Sequence, residues 1–74
     1  MATVLHLLGR DDVSLALAVI RLQIEAGDQV EVAVLNDHAA PVLPSTVTVH
    51  RVPRETSYSQ LLDLIFTADR VVTW

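Results

Sequence analysis

Apolar residues fill Thr3–Leu8 (Thr-Val-Leu-His-Leu-Leu) almost without a break and give way at Gly9. A strand covered by helices on both faces has this pattern, because neither face is left for water. Arg10, Asp11 and Asp12 follow, with the aspartates placed to cap a helix and meet the positive end of its dipole. A first helix is predicted from about Asp12 to Ala26, ended by Gly27, the usual residue just past a helix terminus. Gln29–Leu35 starts by alternating and turns apolar, which predicts a second strand. Residues 36–44 form a connection with room for one helical turn, since Pro41 and Pro44 oppose anything longer. Thr46–Val52 alternates β-branched and polar residues, as a half-exposed strand does. Ser57 and Gln60 stand at capping-box spacing and open a further helix to about Ala68. Its apolar residues Tyr58, Leu61, Leu62, Ile65 and Phe66 fall on one stripe. Arg70–Trp74 reads as a last short strand. This order predicts one α/β domain over residues 1–74, a three-layer α/β/α sandwich around a small, mainly parallel sheet of about four strands.

The first helix is apolar on two sides. At about 100° per residue, Val13, Ala16, Leu17, Ile20 and Ile24 gather on one side. Leu15, Ala18, Val19, Leu22 and Ala26 gather nearly opposite. Ser14, Arg21, Glu25 and Asp28 make a narrow polar band, and Gln23 lies alone on the other flank. One side suffices to cover the sheet. The second, with Leu15, Val19 and Leu22, is expected to meet another subunit, since large exposed apolar patches are rare on monomers. The internal alternative is a later helix packed over that side. Trp74 is a further interface candidate, as a core plug or a subunit anchor.

Composition narrows the classes of function. The chain has 74 residues, 51% of them hydrophobic and 19% charged, which argues against disorder. Its longest strongly apolar run, Val13–Ile20, is eight residues. A membrane span needs about 18 or more. No secretion signal is expected, since Met1 is followed by no basic stretch, and a cytoplasmic location is the expectation. There is no cysteine, so disulfides, thiolate metal sites and a thiol nucleophile are excluded. Nine acidic residues against five arginines give a net charge of −4, which disfavours direct nucleic-acid binding. A chain this short buries only about 60% of its unfolded surface, so self-association is an expected supplement to its core.

Candidate chemistry is sparse. In open α/β sheets, ligands bind outside the carboxyl ends of the strands. The loops expected there carry Asp11, Asp37 and His38, which as a set would suit a small ligand-binding or hydrolytic domain. The same residues serve equally well as helix caps and turn formers, the commoner use. No phosphate-binding fingerprint accompanies Gly9. The serines lack the context of a nucleophile elbow. His6, inside a buried strand, is expected to be a neutral, hydrogen-bonded core residue, and His50 to face solvent. No cofactor, metal or catalytic set is predicted.

Tyr58-Ser59-Gln60-Leu61-Leu62-Asp63-Leu64 followed by Ala68-Asp69-Arg70-Val71-Val72-Thr73-Trp74 resembles the end of the DsrH/TusB family, within the DsrE-like sulfur-relay superfamily. The residues that carry the likeness are Asp63, Asp69, Arg70 and Trp74. Residues 36–40 stand where the family has its segment after the second strand. The region between Asp37 and Ser57 is shorter than the family pattern. The resemblance implies a non-catalytic subunit that packs with itself or with DsrE/DsrF-like (TusC/TusD-like) relatives, in assemblies serving tRNA 2-thiouridine formation or sulfur oxidation. Persulfide transfer by this chain itself is excluded, because that step needs a cysteine thiolate.

Overall fold

Strand β1 (Thr3–Leu8) and strand β2 (Gln29–Leu35) form where the two apolar runs predict them, residue for residue. They are part of a computed structural model that describes residues 2–9, 13–36 and 41–74. Helix α1 (Ser14–Glu25) joins them. β3 (Thr48–Val52), α2 (Tyr58–Thr67) and β4 (Arg70–Thr73) complete the order. The four strands make one sheet in the order β3-β2-β1-β4, and every pairing is parallel.

The sequence crosses the sheet in one direction through α1 and returns in the other through α2. With right-handed crossovers, such a reversal places the two helices on opposite faces. Strand side chains alternate between faces, and the core divides accordingly. Ala16 and Ile20 of α1 pack with Leu8, Val30, Val32 and Val34. Leu61 of α2 packs with Leu5, Ala33 and Val52 on the other face. The result is the three-layer α/β/α sandwich.

Several boundaries shift from those predicted. α1 begins at Ser14 rather than near Asp12, with Val13 at the N-cap and no side-chain hydrogen bond from it. Its far end follows expectation. Gly27 has φ 88°, and the Gly27 and Asp28 amides donate to the Ile24 and Gln23 carbonyls, which satisfies the last turn. Residues 41–47 hold no helix. Leu43 and Val47 instead fold against the α1-side core, so this irregular segment covers the sheet where Pro41 and Pro44 bar a helix. β3 starts at Thr48, two residues late, because a turn occupies residues 45–46. Ser57 caps α2 as predicted: its hydroxyl accepts from the Gln60 amide, and the Gln60 side chain accepts from the Ser57 amide.

The expected single stripe on α2 splits in two. Leu61, Leu64 and Ile65 face the sheet, whereas Tyr58, Leu62 and Phe66 point outward. No helix among the described residues is long and apolar enough to cross a membrane.

Candidate functional site

The outer face of α1 is apolar and open to solvent. Leu15 is 67% exposed and Leu22 is 65% exposed, with Ala18 and Ala26 also exposed and Val19 half-buried. Opposite them, Ala16 and Ile20 are fully enclosed. The two-sided reading of this helix therefore corresponds to one side in the core and one in solvent. α2, the other helix of the described residues, lies across the sheet and does not cover it. A second row, Tyr58, Leu62 and Phe66, is exposed on α2 at helical spacing, with Phe66 at 82%.

Trp74, the other interface candidate, is half-buried and committed inside the molecule. Its indole N–H donates to His6 Nδ1 at 2.9 Å, and its amide donates to the Leu7 carbonyl. The two rings are 13° from parallel with centroids 6.1 Å apart. That separation fits an in-plane, edge-to-edge hydrogen bond rather than a face-to-face stack. His6 is fully buried, and its Nε2 lies 2.6 Å from Gln23 Oε1. An indole N–H only donates, so Nδ1 carries no proton and Nε2 carries it toward Gln23. Burial pushes the imidazole below the usual histidine range, and the Gln23 hydrogen bond pulls the other way. A chain of three side chains thus joins α1, β1 and residue 74.

The residues that carry the family resemblance divide by role. Asp69 ties β4 to β1: its carboxylate accepts from the Thr3 amide at 2.7 Å while its own amide donates to the Thr3 carbonyl. Trp74 does the same at the other end of that strand pair. Asp63 and Arg70 are exposed. Asp63 lines a groove of about 300 Å³ with His50, Glu55, Thr56, Gln60 and Leu64. His50 does not simply face solvent. It is half-buried in this groove, with Nε2 3.2 Å from Glu31 Oε1. The segment after β3 and helix α2 shelter that face of an edge strand.

Asp11, Asp37 and His38, the alternative ligand set, lie outside the described residues, as do Arg10 and Asp12. Among the described residues no three histidine or acidic side chains are placed to hold a metal ion. The sequence marks Gln23, the second partner of His6, by its isolation on an otherwise apolar flank of α1 and assigns it no role. Compared with protein families, with curated proteins and with solved structures, the chain matches none.

Proposed function

We propose that this chain is a cytoplasmic, non-catalytic docking subunit of a sulfur-relay assembly of the DsrE/DsrF/DsrH or TusBCD kind. It packs with itself or with a cysteine-bearing relative, and its apolar faces shape the partner's site. The observation that carries the proposal is the outward side of α1, where Leu15 and Leu22 each leave about two thirds of their surface in water. Full burial of a leucine side chain contributes roughly 1.5–3 kcal/mol, so a partner that covers both gains substantially. The resemblance of residues 58–74 to the DsrH/TusB tail supplies the kind of assembly. The lack of cysteine in the sequence supports the role of a supporting member rather than a sulfur carrier.

Co-expression with a cysteine-bearing DsrE-like subunit, followed by affinity capture of that subunit, tests the proposal. The expected result is that this chain is retained and that the double substitution Leu15→Glu/Leu22→Glu releases it while the fold persists. Absence of retention in a chain that is also monomeric alone, or retention unaffected by the double substitution, contradicts it.

A further inference from the structure

His6 can take up a second proton at one atom only. Nε2 already holds its hydrogen toward Gln23, and Nδ1 is the acceptor for the Trp74 indole. Protonation would set an imidazolium N–H against an indole N–H across 2.9 Å, two donors with no acceptor between them. The charged imidazole and the Trp74 bond are therefore mutually exclusive.

Among the described residues, the surroundings leave this exclusion undiluted. On the face of the sheet that carries His6, β2 contributes Val32, its direct neighbour in register, with Val30 and Val34 along the same side. β4 contributes Val72 in register, and farther along that face Arg70, which is exposed. α1 contributes Ile20 and Gln23. Its charged residues Arg21 and Glu25 are exposed, about 160° around the helix from Gln23. Among the described residues, no carboxylate forms an ion pair or hydrogen bond with His6 that would hold the cation in place.

We propose that His6 is a proton-operated latch: a proton added at Nδ1 breaks the Trp74 bond and lets the indole leave the core while the sheet remains formed. Trp74 packs against the cluster built on Leu8, Ala16 and Ile20, so its departure uncovers apolar surface beside α1. The step transfers one proton from solvent to Nδ1 and changes no covalent bond elsewhere. It stands independently of the docking proposal, since it concerns the chain alone. The depressed basicity of the buried imidazole places the transition on the acid side of pH 6.5.

The sequence contains a single tryptophan, so intrinsic fluorescence reports the latch directly. Emission, acrylamide quenching and far-ultraviolet circular dichroism are followed from pH 8 downward. The expected result is a reversible red shift with increased quenching, its midpoint below pH 6.5, while the dichroism stays constant. At pH 8, imidazole nitrogen shifts should show the proton on Nε2 and a bare Nδ1.

Two variants sharpen the outcome. His6→Gln, which cannot titrate, should abolish the red shift over that interval. Gln23→Glu places a carboxylate at Nε2 and should raise the midpoint by about one pH unit or more. The proposal is overturned by a proton on Nδ1 at pH 8, by steady emission while the imidazole titrates, or by a red shift that coincides with loss of dichroism. If His6→Gln does not fold, Gln23→Glu decides alone, and an unmoved midpoint overturns it.

Discussion

The fully buried His6 imidazole is the most constrained polar side chain described, because both of its nitrogens are used and each partner comes from a different element. Removing one partner leaves a buried polar atom unpaired, which costs about 1–3 kcal/mol. Trp74→Phe should therefore lower the urea-unfolding free energy by at least about that amount, and Gln23→Leu similarly through the orphaned Nε2–H. Equal stability of both variants and the parent would show that these bonds are not formed in solution. The pH dependence has a definite sign. The folded imidazole is less basic than the unfolded one, so as pH falls the unfolded chain takes the proton first. His6 thus contributes stability that is complete above pH 6.5 and declines as pH drops from there toward the lowered folded value. Denaturant titrations between pH 5 and 8 should show this slope in the parent and its loss in His6→Gln. How much of this trio was legible in the sequence follows from chain separation. His6 in an apolar strand already required hydrogen-bond partners. Their identity depended on contacts 17 and 68 residues away, fixed only once α1 and β4 take their places.

At the scale of elements, what the sequence reveals depends on whether a local signal or the tertiary environment sets the boundary. β1 and β2 are delimited by Gly9 and by the turn at Gly27–Asp28, and both strands fall where the pattern puts them. The capping box at Ser57 is likewise local. The start of α1 is different: the helix opens at Ser14, two residues past the predicted Asp12, with Val13 at its N-cap. The predicted single stripe of α2 divides because its apolar residues wrap beyond what the sheet can cover. α1 offers a direct contrast between its two sides. Ile20→Ala should cost about 2–5 kcal/mol of stability by removing a fully enclosed side chain. Leu22→Ala should change the stability of the isolated fold by only about 0.5 kcal/mol, since that side chain stands mostly in water. Comparable losses at both positions would mean that the outer side of α1 is covered within the chain itself.

For the whole molecule, the topology explains why an apolar surface remains. A four-stranded parallel sheet with a reversal of direction puts a single helix on each face. α2 lies on the far side of the sheet from the outer side of α1, and of the described residues after β2, Leu43 and Val47 pack into the core beneath it. Among the described residues no further element completes the layer. On the proposed reading a second polypeptide covers this side, with Leu15 and Leu22 at the contact. Sedimentation equilibrium of the purified chain at micromolar concentration tests this most directly. The account predicts a mass of at least twice 8.1 kDa for the chain alone, or a complex when a cysteine-bearing DsrE-like subunit is added. Leu15→Glu/Leu22→Glu should sediment at 8.1 kDa in both samples with its circular dichroism retained. A well-folded parent chain that sediments at 8.1 kDa both alone and mixed with a cysteine-bearing DsrE-like subunit would contradict it.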